Sequence, residues 1–265
     1  MLTMSLKMNT RFWEIDTLRG IAIVMMIIFH ILFNLKYFEV LDIKLYSGPM
    51  FFFWFPIPLI FLLLVGISMT LKNNRYRARS MKNEQDLGKA DGSAVVHVTR
   101  GFQILFFAML ITAVTWFVVN DDVIIFGILH LIGLSIILSI PFVKHKWFGF
   151  FTGILLIIIG LIFRSIRMDT YWFLVFGIRP RVFSTLDYFP LLPWMGVILI
   201  GIFLGNTLYA NYERQYTLPD MSKNPVVRIL GFLGKHSLLI YMIHPPIIIA
   251  VFILLGFVDI GFFTS

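Results

Sequence analysis

Four polar side chains lie in or beside the first long apolar stretch of the chain, Thr17–Lys36: Asp16, Arg19, His30 and Asn34. A helix turns about 100° per residue, which puts all four in a stripe about 60° wide. A neutral imidazole can take a proton, a guanidinium can hold an anion, and a carboxylate or amide can orient either. Arg19 and His30 would stand about 16 Å apart along the helix axis. A long ligand with an anionic head and a reactive tail matches that spacing, its phosphates meeting Arg19 and its tail reaching His30. The alternative is a stripe that only joins helices by hydrogen bonds.

A second set closes the sequence. Ser237, Tyr241 and His244 follow one another at spacings of four and three, which is one helix face. Pro245 and Pro246 come next, and each removes an amide hydrogen, leaving carbonyls one turn earlier without helical partners. A kink beside a histidine suits a buried site, and equally an ordinary kinked membrane helix. Lys235 and His236 stand at the start of this face, where they would hold ligand phosphates or snorkel to lipid. His130 lies between Gly127 and Gly133, where a ligand or a neighbouring backbone could come close. Asp187 precedes an apolar run and would either cap that helix or orient a histidine. His97 and His145 fall in expected loops and carry no assigned role.

The elements that must hold these groups follow from composition. Of 265 residues, 59% are hydrophobic and 14% charged, against about 25% charged in an ordinary soluble domain. Mean hydropathy is +0.89. Seven apolar runs have spanning length: Thr17–Lys36, Pro49–Leu71, Gly101–Val119, Val123–Val143, Trp147–Ile166, Phe189–Tyr209 and Leu230–Val258. They lack a period of two, so the expected fold class is all-α, a polytopic membrane protein built as a bundle of about seven transmembrane helices. Residues 1–265 are expected to form a single domain. The first run follows a polar segment and precedes no small-residue cleavage site, so it reads as a retained helix.

Lys and Arg crowd the segments that an N-inside topology places in the cytoplasm, above all Asn73–Thr99, expected to be a basic loop. The N-terminus is therefore expected to be cytoplasmic and the C-terminus outside. The opposite side receives Arg167–Asp187, which mixes Tyr171, Trp172 and Phe173 with Arg179 and Arg181. It is expected to lie on the membrane surface or fold over an outer opening. The net charge of +8 comes from these loops and does not point to nucleic acid. The absence of Cys excludes disulfides, thiolate metal sites and an acyl-cysteine intermediate. No metal-ligand spacing, Gly-rich phosphate loop or nucleophile elbow occurs, so no metal is expected.

Three segments carry a resemblance. Arg11-Phe-Trp-Glu-Ile-Asp-Thr-Leu-Arg-Gly-Ile-Ala-Ile23, Ile125-Phe-Gly-Ile-Leu-His-Leu-Ile-Gly-Leu-Ser135 and Asp187-Tyr-Phe-Pro-Leu-Leu-Pro-Trp-Met-Gly196 resemble the heparan-alpha-glucosaminide N-acetyltransferase family and its prokaryotic members. Gly234-Lys-His-Ser-Leu-Leu-Ile-Tyr-Met-Ile-His-Pro resembles a helix common to membrane acyltransferases more widely. The resemblance implies transfer of an acetyl group from cytoplasmic acetyl-CoA to an amine or hydroxyl of a sugar-type acceptor at or across the membrane. His30, Asp187 and His244 become the catalytic candidates. Arg19, Lys235, His236, His130, Asn34 and Tyr241 become the candidates for holding acetyl-CoA. The sequence departs from the family in one respect. The family's catalytic histidine lies in the first luminal loop, whereas no His occurs here between Leu32 and Val96. The implied partners are membrane lipid, acyl-CoA and the acceptor; a homodimer is compatible with this reading, and the implied location is the cell membrane. Two rival classes remain: a transporter or channel for a small organic anion, against which the lack of an internal repeat counts, and a non-catalytic CoA- or lipid-binding protein.

Overall fold

The computed structural model describes residues 11–80, 92–119 and 122–258. Among them, the helices in chain order are α1 (Trp13–Tyr37), α2 (Pro49–Trp54), α3 (Pro56–Ser80), α4 (Gly92–Val118), α5 (Ile128–Leu138), α6 (Lys146–Phe163), α7 (Leu191–Leu208), α8 (Pro225–Lys235) and α9 (Ser237–Leu254). No strand occurs among the described residues beyond an isolated bridge between Arg167 and Arg179. Six stretches among the described residues are long and apolar enough to cross a membrane: Trp13–Tyr37, Pro49–Arg77, Gly92–Val118, Lys146–Phe163, Leu191–Leu208 and Ser237–Leu254. Many of their large apolar side chains are exposed, among them Phe102, Phe106, Phe117, Phe151 and Leu161. In water these faces would be a large unfavourable surface; against lipid they are the expected exterior.

Three expectations change. The Val123–Val143 run holds only α5, whose 11 residues would cover roughly half of the hydrocarbon thickness. Its first residues are instead tied to a later segment: the amides of Leu186 and Phe189 donate to the carbonyls of Asp122 and Phe126 at 3.1 and 3.0 Å. Its end is broken by Pro141, inside the 3-10 turn Ile140–Phe142. The Leu230–Val258 run is interrupted at His236, which separates α8 from α9. The Asn73–Thr99 loop is helical as far as Ser80 and again from Gly92, with residues 81–91 outside the described residues. His97 is therefore a buried helix residue, not a loop residue. The polar ends of these helices are built largely from Lys, Arg, Asn, Ala and Val, all of which helices tolerate.

The chain divides into two compact units, residues 1–61 with 218–265, and residues 62–217. In the first, α1 is the organising helix. Ile23 and Met26 form its core with Ile57, and Phe29, Trp54, Ile240 and Tyr241 pack against them. Further along, Leu35 and Phe38 meet Ile248 and Phe252. The contacts advance together along α1 and α9, so these two helices run side by side in the same chain direction. α8 approaches the start of α1 at backbone distance. A Cβ on Gly20 would lie 2.0 Å from the Leu230 carbonyl oxygen, and one on Gly234 would lie 1.8 Å from that of Asp16. Only glycine allows this approach, the usual device for joining helices in lipid.

In the second unit α7 is the most enclosed of the spanning helices, with 56% of its apolar stretch buried against 17% for α4 and α6. It too is joined by glycine. A Cβ on Gly196 would lie 2.4 Å from the Gly153 carbonyl of α6, and one on Gly201 would lie 2.3 Å from the Leu63 carbonyl of α3. Asn206 extends the attachment, its side-chain amide donating to the Val143 and Ile202 carbonyls at 3.0 and 3.1 Å.

Candidate active site

The polar stripe of α1 is met by two different partners. At its start, Asp16 is buried and its Oδ1 pairs with the Arg19 guanidinium at 3.2 Å. The same Nη1 reaches the Gly234 carbonyl at 3.5 Å. That carbonyl belongs to the last turn of α8, where a cation is favoured by the unsatisfied carbonyls. Arg19 thus bridges α1 to α8 beside the Gly20–Gly234 contact, a structural duty that the sequence left open.

About three turns further on, α1 meets α9 through two histidines. The rings of His30 and His244 lie edge to face, with centroids 4.6 Å apart and an interplanar angle of 82°. Each ring is tethered to its own helix. His30 Nδ1 lies 2.9 Å from the Met26 carbonyl, and His244 Nδ1 lies 2.8 Å from the Tyr241 carbonyl. A carbonyl can only accept, so each Nδ1 carries hydrogen and each neutral ring keeps a basic lone pair on Nε2. The sequence explains the second tether. Pro245 has no amide to give the Tyr241 carbonyl, and the His244 imidazole takes that place. His244 is 4% exposed and its Nε2 has no partner among the described residues. An unpaired buried nitrogen costs about 1–3 kcal/mol, a cost that a reacting group would repay.

The surroundings of the pair are aromatic. Tyr241 packs on His244 at 5.5 Å between ring centroids, and Phe29 on His30 at 5.6 Å. Phe29 continues into Tyr46 and Trp54 at 6.2 and 6.4 Å. Trp54, which sequence reasoning did not single out, holds a buried indole N–H with no acceptor among the described residues. Its apolar run disguised it as core. Asn34 lies one turn beyond His30 and is half-buried. Lys235 and His236 are exposed at the α8–α9 joint, with His236 Nδ1 donating to the Phe232 carbonyl at 2.9 Å.

The second unit assembles the other two candidates. His130 Nδ1 accepts the Gly127 amide at 3.3 Å, and its Nε2 meets the Thr112 hydroxyl at 3.3 Å. Thr112 in turn donates to the Ile124 carbonyl at 2.6 Å. Nε2 therefore bears the hydrogen, and both ring nitrogens are occupied in holding the start of α5. Asp187 Oδ2 accepts the Ile128 amide at 2.9 Å. Asp187 caps α5, not the helix that follows it in sequence, and its negative charge faces the positive end of α5. Sequence reasoning missed Thr112, because nothing in its spacing relates it to His130. Among the described residues no group of His, Cys, Asp or Glu is arranged to hold a metal ion.

A family model described as heparan-alpha-glucosaminide N-acetyltransferase, catalytic, matches residues 11–246. No curated protein and no solved structure matches the chain. The matched region includes α1, the His30–His244 pair, the Asp187 cap and both prolines of α9. With that match over most of its length and, among the described residues, six apolar helices of spanning length, the chain is a multi-pass membrane protein that belongs to the heparan-alpha-glucosaminide N-acetyltransferase catalytic family, a family of membrane acetyltransferases.

Proposed function

We propose that the protein moves an acetyl group from acetyl-CoA to an amine or hydroxyl of a sugar-type acceptor, with His30 as the general base. The observation that carries this reading is the His30–His244 pair, two imidazoles 4.6 Å apart that both present a basic Nε2. The acceptor nitrogen or oxygen attacks the thioester carbonyl while His30 Nε2 takes its proton. The C–S bond then breaks, and the proton passes to the leaving thiolate of CoA. Base assistance of this kind is worth about 10²–10⁴-fold. His244 is the partner base that receives or returns the proton. As a neutral ring it offers no second donor, because its Nδ1 hydrogen is committed to Tyr241; the Tyr241 hydroxyl is better suited to the developing oxyanion. With no Cys in the chain, the transfer is direct or passes through acyl-histidine.

The acetyl-CoA headgroup is assigned to the start of α1 and the α8–α9 joint, where Arg19 and Lys235 supply positive charge and His236 a polar ring. Asn34 lines the path beyond His30. Asp187 and His130 act from the second unit as a charged, rigid cap on α5. The reading places the N-terminus in the cytoplasm of a cell-membrane protein and the C-terminus outside. The shared direction of α1 and α9 supports that arrangement, because two spans running the same way begin on the same face.

The test is acetyl transfer from radiolabelled acetyl-CoA to glucosamine by the protein in proteoliposomes. The His30→Gln variant, which keeps a polar side chain at the site, is expected to lose at least a hundredfold in turnover, the lower bound for base catalysis. Full transfer by that variant would remove His30 from the mechanism.

A further inference from the structure

The segment between α6 and α7 carries a concentration of positive charge that the transfer reaction does not use. Arg164 follows α6 directly, and Arg167 and Arg179 are brought face to face by the parallel bridge between them. The Met168 amide donates to the Arg179 carbonyl at 3.3 Å and secures that pairing. Arg167 Nη1 donates back to the Arg164 carbonyl at 3.2 Å. The Arg179 guanidinium lies over the Tyr188 ring at 6.0 Å. Three guanidinium groups, always charged, are therefore gathered in one place. Burial pushes Arg179 below the ordinary guanidinium value, and the charges of Arg167 and Arg164 push it the same way.

No acidic side chain answers them among the described residues. The ion pair of this segment joins Arg181 to Asp169 at 3.7 Å. Tyr188 supplies no negative charge either. Burial pushes its phenol up to about 12, and its hydroxyl donates to the Leu174 carbonyl at 2.6 Å. A cation at the end of α6 is favoured by the helix carbonyls, which accounts for Arg167. It does not account for drawing Arg179 onto Arg167 from the far arm of the loop, since like charges brought together cost free energy unless an anion joins them. The same loop exposes large apolar groups: Trp172 and Val182 are each 88% exposed, and Tyr171 is 61% exposed. Aromatic side chains next to guanidinium groups are the composition of a membrane interface, where rings enter the headgroup layer and Arg meets phosphate.

We propose that Arg164, Arg167 and Arg179 form a binding site for the phosphodiester of an anionic phospholipid, with Trp172 and Val182 set into the adjoining leaflet. A phosphate accepts charge-assisted hydrogen bonds from several guanidinium groups at once. The exposed rings of the same segment favour a lipid over a soluble phosphate. The site shares no residue with the His30–His244 pair and does not depend on the acetyltransfer reading.

Native mass spectrometry of the protein released from vesicles of phosphatidylglycerol and phosphatidylcholine in equal parts tests the proposal. The protein is expected to retain phosphatidylglycerol over phosphatidylcholine by about tenfold, since each Arg at an anionic surface contributes on the order of fivefold and salt screens part of it. The combined variant Arg164→Gln, Arg167→Gln, Arg179→Gln is expected to lose that preference, and the corresponding triple Lys variant to keep most of it. If the triple Gln variant does not fold, Arg164→Gln alone, at an exposed position, is expected to reduce the preference severalfold. Equal retention of both lipids by the unaltered protein overturns the proposal. So does full displacement of phosphatidylglycerol by millimolar inorganic phosphate together with unchanged retention in Trp172→Ser, which would mark a site for soluble phosphate instead.

Discussion

Replacing Gly20 by Ala tests whether the α1–α8 contact holds the first unit together. The added Cβ would stand 2.0 Å from the Leu230 carbonyl oxygen and 2.7 Å from its carbon. Ordinary carbon–oxygen contacts begin more than 1 Å further out, at about 3.3 Å, so α8 must move away from α1 by about that difference. Both sides of the contact are backbone, so no side chain can rotate aside. The Arg19–Gly234 hydrogen bond, already 3.5 Å long, would be broken by such a shift. Overpacking of this kind costs about 1–3 kcal/mol, and loss of the charged hydrogen bond about 1.5–3 kcal/mol where it is fully formed. At 3.5 Å the bond is worth less than that, so we expect a net loss of about 2–4 kcal/mol. Gly231 is an internal control one turn from Gly234, because a Cβ there meets nothing within 4 Å. Gly231→Ala should stabilise by about 0.5–1 kcal/mol, since Ala restricts the unfolded chain more than Gly does. The assay is thermal unfolding of the two variants in one detergent. A Gly20→Ala protein as stable as the parent, or a Gly231→Ala protein that falls with it, would refute the backbone contact.

Four further outcomes are expected. Acetyl transfer should rise with pH along an acid limb set by an imidazole that must be neutral to accept a proton, and a His30→Gln protein should show residual activity without that limb. His244→Phe keeps an aromatic ring against His30 but removes the second base, so turnover should fall by at least tenfold while the unfolding temperature stays within a few degrees, because removing the buried unpaired Nε2 offsets the loss of the Nδ1 bond to Tyr241; unchanged turnover would exclude His244 from proton transfer. Asp187→Ala should destabilise by about 0.5–2 kcal/mol through loss of the α5 cap, and Asp187→Asn, which retains an acceptor oxygen, by less; equal losses would contradict the capping role. Because the chain has no Cys, single cysteines report topology directly: Ser47→Cys and Ser184→Cys should react with an impermeant thiol reagent from outside, and Ser222→Cys only after the membrane is opened.

The spanning runs were legible because lipid demands long uninterrupted apolar helices, and a demand of that kind is met residue by residue. The stripe of Asp16, Arg19 and His30 was legible for a related reason. Polar groups on one apolar helix can only face protein or water, so their spacing alone shows that they share a face. The Val123–Val143 run misled about helix length, because apolarity is common to one continuous helix and to a short helix with irregular arms. What shortens α5 is the hydrogen bonding of the preceding Asp122 and Phe126 carbonyls to Leu186 and Phe189, together with the capping by Asp187, which are contacts distant in sequence. Thr112 was invisible for the same reason, since it reaches His130 only through tertiary packing.

By itself, then, the amino-acid order determined that this is an all-helical membrane protein, which side chains line the inner face of its first helix, and that no cysteine of the chain takes part in its chemistry. Each of these depends on residue type and on the local geometry of a helix. Tertiary structure alone decided that Arg19 bridges α1 to α8, that both nitrogens of His130 are occupied, and that His30 and His244 are edge to face. Those outcomes depend on which helices pack together and how closely glycine lets them approach, and residues 30 and 244 become neighbours only once the chain between them has folded.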